Sequence, residues 1–188
     1  VTGDAGEDTI SLLGGSAGNV DGGDDSDQIT LTGSSVTSIG GGSGNDNIWL
    51  TGGTISSTGN AVTGGDGNDN IHFHGTAFTG AVLGGAGNDV FDLGTGAAGN
   101  IDGGADNDVF SLTGSSVAAI VGGSGDDTLT WSAGSLASFN GGDGSDLATV
   151  SAAAYDGSQL LDGGDDALTP DTYIDHLTIS GKTITTTG

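Results

Sequence analysis

GGSGNDNIWL, from Gly41 to Leu50, decides how this chain folds. Its first six residues are glycine-rich and end on Asp46, and the next apolar residues, Ile48 and Leu50, flank Trp49 in the period-2 alternation of a half-buried strand. The same octet returns along the chain as GGDGNDNI from Gly64, GGAGNDVF from Gly84 and GGSGDDTL from Gly122. Looser copies are GDAGEDTI from Gly3, GGDDSDQI from Gly22, GGADNDVF from Gly103 and GGDGSDLA from Gly141. Counted from the first glycine, position 6 is Asp8, Asp27, Asp46, Asp69, Asp89, Asp108, Asp127 and Asp146, spaced by 19, 19, 23, 20, 19, 19 and 19 residues. Self-similarity at that period marks a solenoid in which one repeat is one turn.

Position 8 holds Ile10, Ile29, Ile48, Ile71, Phe91, Phe110, Leu129 and Ala148, and position 10 holds Leu12, Leu31, Leu50, Phe73, Leu93, Leu112, Trp131 and Val150. Between them position 9 is mostly polar, so positions 8 and 10 face inward. A second apolar pair follows in each repeat, among them Val36 with Ile39, Ile55 with Val62, Phe78 with Val82, Val117 with Ile120 and Leu136 with Phe139. These spacings predict an all-β chain: a parallel β-solenoid of about nine coils, each strand, corner, strand, corner, forming two parallel sheets around a thin core. Residues 1–188 read as one domain, with 163–188 as an irregular terminal coil in which Asp175 and Leu177 reproduce positions 6 and 8 and Thr183–Thr187 offers a further strand.

Charge narrows the partners. Of 25 acidic residues only Glu7 is not Asp, Lys182 is the sole base, and the net charge is −24. A chain without a basic patch cannot neutralise phosphates, which counts against nucleic acid and anionic membrane surfaces. No stretch is apolar enough to span a bilayer, and the first residues lack a signal-peptide pattern. Cysteine is absent, so neither disulfides nor thiolate metal sites contribute. Stacking the repeats places the position-6 carboxylates at the ~4.8 Å strand spacing, where they repel one another. Cations are the natural counterparts. Carboxylates together with carbonyls from a loop whose glycines reach positive φ are the oxygen donors that a divalent ion of calcium's size prefers. The expected ligands are therefore the eight position-6 aspartates, Asp8 to Asp146, with Ca2+ as the ion.

The octet GGxGxD followed by a large apolar residue resembles the calcium-binding nonapeptide of the RTX (repeats-in-toxin) family, and the resemblance covers nearly the whole chain. It implies a calcium-loaded β-solenoid exported by type I secretion from a Gram-negative bacterium and folded by external calcium. Standard RTX repeats carry the motif in both halves of a coil. Here the second half reads TGSSVTSI (Thr32–Ile39) or TGSSVAAI (Thr113–Ile120), so calcium is expected along one edge only. A single-edge coil of this length is similar to the ice-binding solenoid of a giant marine bacterial RTX adhesin, where Thr at position 3 and Asn or Asp at position 5 form the ice-binding row. Position 5 matches in Asn45, Asn68, Asn88, Asn107 and Asp126. Position 3 carries Ala, Ser or Asp and no Thr, which counts against ice binding.

Other candidates are weaker. His72 and His74, two apart on one strand, face outward with a spacing suited to zinc or copper but no third ligand in view. Trp49 sits outward beside His72 of the next coil, in a position to stack on a sugar ring or a subunit, while Trp131 reads as core. No nucleophile with its base is recognisable, and the position-6 carboxylates are accounted for by calcium, so no enzyme activity is expected. The reading is a secreted, calcium-dependent structural or adhesive cell-surface module that self-associates end to end or with other surface proteins. The alternatives are an ice- or glycan-binding module and a calcium-folding accessory region of an exported enzyme.

Overall fold

A computed structural model describes residues 1–151, 157–163 and 176–180. They form a parallel β-solenoid of about eight turns, with no helix among them. Each strand pairs in parallel with its counterpart one repeat later. Position 8 runs in register from Ile29 through Ile48, Ile71, Phe91, Phe110 and Leu129 to Ala148. The ninth coil of the expected nine is represented by His176–Ser180, whose Leu177 pairs with Ala148 and so occupies position 8 as anticipated. Asp175, Pro170 and the strand expected at Thr183–Thr187 lie outside the described residues. The longer spacing between Asp46 and Asp69 is absorbed after Ile55, and pairing resumes with Ile39 opposite Val62.

The alternating residues form the core. Ile29, Ile48, Ile71, Phe91, Phe110 and Leu129 are completely buried, and Trp131 joins them. The rings of Phe91 and Phe110 stack with centroids 4.8 Å apart. The second apolar pairs are also inside, so each turn buries about four side chains, contributing roughly 1.5–3 kcal/mol apiece.

Two separate sheets joined by glycine turns is not how a turn is divided. One turn consists of three extended pieces, Gln28–Thr32, Ser35–Val36 and Ile39–Ser43. Farther along, the pieces fuse into strands that run unbroken around the coil: Val90–Ala105, Val109–Ser124 and Thr128–Asp143. Positions 1 to 3 of the octet belong to strand, and the glycine-rich corner is confined to positions 4 to 6. The reason is close approach. At position 2, Gly65 has φ +131, and a Cβ there would run into the Gly42 carbonyl of the preceding turn. Position 4 needs the left-handed region. Where a repeat lacks glycine at position 2 or 4, the substitute is always Asp, and Asp4, Asp25 and Asp106 are the non-glycine residues with positive φ among those described. Asp tolerates that region better than most residues.

Gly65→Ala is accordingly expected to cost about 3 kcal/mol or more, since strain and a backbone clash act together. Gly6→Ala, at positive φ but with open space around its Cβ, should cost about 1 kcal/mol. Chemical denaturation of the two variants under identical conditions measures the difference.

Candidate metal centre

Every position-6 Asp from Asp27 to Asp146 is buried at the corner. Its position is fixed by three hydrogen bonds that repeat along the stack. The Asp46 N–H donates to Asp69 Oδ1 at 2.7 Å, Asp69 N–H to Asp89 Oδ1 at 2.8 Å, Asp89 N–H to Asp108 Oδ1 at 2.8 Å and Asp108 N–H to Asp127 Oδ1 at 2.7 Å. The same link joins Asp8 to Asp27, Asp27 to Asp46 and Asp127 to Asp146. The Asp carbonyl in turn accepts from the position-7 N–H of the next repeat, as Asp27 does from Asn47 at 2.8 Å. Peptide groups and Oδ1 are thereby satisfied.

Oδ2 is not. In Asp8, Asp27, Asp46, Asp69, Asp89, Asp108 and Asp127 this oxygen is buried and has no hydrogen-bond partner. A buried ionised oxygen left this way is costly. Its surroundings repeat as well. Over the Cα of Gly22, Gly41, Gly64, Gly84, Gly103 and Gly122, the space a Cβ would need is occupied by Oδ2 of the same octet and by the carbonyl oxygen of the next octet's first glycine. Each turn thus brings a carboxylate oxygen and a carbonyl oxygen over one bare glycine. That role of position 1 escaped the sequence reading, although a signal was present: position 1 is Gly in all eight octets, while positions 2 and 4 accept Asp.

Burial pushes these carboxyls upward, and charges along the edge add to it. Asp69 rises to about 7: burial outweighs the stabilising Asp46 N–H, and Asp89, Asp46 and Asp66 repel its charge. Asp108 rises to about 8 through burial first, with Asp89, Asp127 and Asp106 adding repulsion. Asp89 and Asp127 reach about 6, and Asp46 is also raised, each mainly by burial. Two states satisfy such a site, a protonated acid or a bound cation. The donor set is all oxygen, hard and anionic, and fits calcium. Among the described residues no three His, Cys, Asp or Glu side chains are closed around a common point. An ion on this edge would take one carboxylate from each neighbouring turn and complete its shell with glycine carbonyls and water.

Position 5 forms a second ladder, running the other way. Asn68 N–H donates to Asn45 Oδ1 at 2.7 Å, Asn88 N–H to Asn68 Oδ1 at 2.8 Å, Asn107 N–H to Asn88 Oδ1 at 3.0 Å and Asp126 N–H to Asn107 Oδ1 at 2.6 Å. The side-chain oxygens expected to form an outward row are therefore committed to the backbone of the next turn. Asn88→Ala should cost about 1 kcal/mol by orphaning the Asn107 N–H, and Asn88→Asp, which keeps the acceptor, should recover most of it in thermal melts in calcium.

His72 and His74 do meet a third side chain. Asp92 of the following turn places Oδ2 3.4 Å from His72 Nδ1 and 3.3 Å from His74 Nε2. Trp49 lies beside His72 as its register suggested, but the ring face expected to receive a sugar or a subunit is stacked on that imidazole, with ring centroids 3.8 Å apart and planes 13° from parallel. No family model, curated protein or solved structure matches the chain.

Proposed function

We propose that this chain is a calcium-dependent structural or adhesive module of the cell surface, of RTX type, secreted and folded on meeting extracellular calcium. The observation that carries the reading is the run of seven buried, unpartnered Oδ2 atoms, each set with a carbonyl oxygen over a bare glycine. One such oxygen would be an irregularity. A column of them at the strand spacing is an edge that needs cations to hold it together once its carboxyls ionise. End-to-end association belongs to the same reading, because bound calcium lowers the repulsion that a charge of −24 imposes between copies.

Paired substitutions test the metal assignment. Asp89→Ala removes one carboxylate of the column and orphans the Asp69 N–H. It is expected to lower calcium binding by calorimetry and to destabilise the calcium-loaded rod by about 2–3 kcal/mol. Asp92→Ala, half-exposed on a strand face, should leave calcium binding unchanged. Equal loss of calcium binding in both variants would remove position 6 from the site.

A further inference from the structure

We propose a second metal site, of a different chemical class, on the outward face of the solenoid: His72, His74 and Asp92 bind one zinc ion. The site lies on the strand face, away from the acidic corner, and does not depend on the calcium reading.

His72 and His74 alternate on Asn70–Ala77 and so project from the same side of the strand. Asp92 is directly opposite His72 in the parallel register, and Trp49 is opposite it on the other side. The register slips between Phe73 and His74 and again before Thr76, so His74 pairs with Thr95 rather than Gly94. The missing side chain at Gly94 leaves room for the His74 ring, which occupies the space a Cβ would need. Both imidazoles consequently direct a nitrogen at the same oxygen, Asp92 Oδ2.

The spacing of those atoms is informative. At 3.3 and 3.4 Å the two N···O distances are longer than the ~2.7–2.9 Å of a charge-assisted hydrogen bond. They match the edge of a tetrahedron around zinc, roughly 3.3–3.4 Å for metal–ligand bonds of ~2.0–2.1 Å. The three side chains are not closed around a common point in this structure. The strand ladder holds the three backbones on adjacent turns. Two neutral imidazoles and a carboxylate form a donor set that zinc favours over calcium, with water completing the shell. Trp49 covers one face of His72 and fixes its plane, and the strongly negative chain concentrates cations around the site.

The stacked Trp49 provides a local readout, since the other tryptophan, Trp131, is buried in the core. The untagged chain, in saturating calcium and folded by circular dichroism, is titrated with zinc chloride while heat and tryptophan emission are recorded. One equivalent is expected to bind with a Kd on the order of micromolar and to change Trp49 emission, the change being absent in Trp49→Phe. His74→Ala and Asp92→Asn should each weaken binding by about tenfold or more. Gly94→Ala, which removes no ligand but displaces the His74 ring, should weaken it comparably, with His176→Ala as the neutral control. Absence of zinc binding below about 100 µM by the folded chain, or full affinity in both His72→Ala and His74→Ala, would overturn the site; the latter would place zinc on the Asp column instead.

Discussion

Stripped of divalent ions at pH 8, the chain is expected to lose its β circular dichroism, and millimolar calcium is expected to restore it. The sign follows from the carboxyls of the corner. Their folded-state values are raised, to about 6 for Asp89 and Asp127, about 7 for Asp69 and about 8 for Asp108, from an unfolded value of 3.8. A group whose pKa is raised on folding favours the native state below its unfolded pKa, and that advantage is lost as pH rises through the folded value. The metal-free rod should therefore be most stable near pH 4 and weaken progressively up to pH 8. On the proposed assignment calcium would compete with the proton for the same oxygens, so the loaded rod should show the opposite trend, gaining stability as the carboxyls ionise. Melting temperatures across this range, with and without calcium, give two curves of opposite slope. Parallel curves, or a chain equally folded in chelator at pH 8, would show that calcium does not satisfy the column.

Asp108→Asn should change sign with the metal. Asn retains Oδ1 to accept the Asp89 N–H, removes a buried charge, and directs an amide N–H into the space where Asp108 Oδ2 and the Gly122 carbonyl both crowd Gly103. In chelator at pH 8, where the raised Asp108 carboxyl is about half ionised, the variant should retain more β circular dichroism than the parent. In calcium it should be the less stable of the two, with the calcium midpoint raised about tenfold or more, because one anionic ligand is gone. Denaturation in both buffers reads the reversal. A variant that is destabilised in both would mean that the carboxylate is held by something other than a cation or a proton.

The repeat made much of this legible in advance. Positions 8 and 10 alternate with polar neighbours, and a period of 19 residues leaves few ways to bury them except by stacking like on like. Inward residues, parallel register, the one-edge Asp column and the placement of Trp49 beside His72 all follow from that periodicity. What sequence could not supply was distance across the stack. Gly65 and Gly22 read alike as turn glycines, yet one avoids a carbonyl of the preceding turn while the other makes room for Asp27 Oδ2 and a carbonyl of the following turn. The octet read as a corner, although half of it is strand. Asn45, Asn68 and Asn88 looked like an outward row until the backbone of the next turn was found to be taking their oxygens. Asp92 was one more polar residue at position 9, and only a register slip opposite the bare Gly94 sets His72 and His74 on the same oxygen. Periodicity by itself determined which residues face in and which repeat lies beside which, because burial depends on alternation along the chain. The tertiary structure decided which polar atoms are satisfied and which are left over, because hydrogen bonds and metal contacts depend on separations of a few tenths of an ångström between turns.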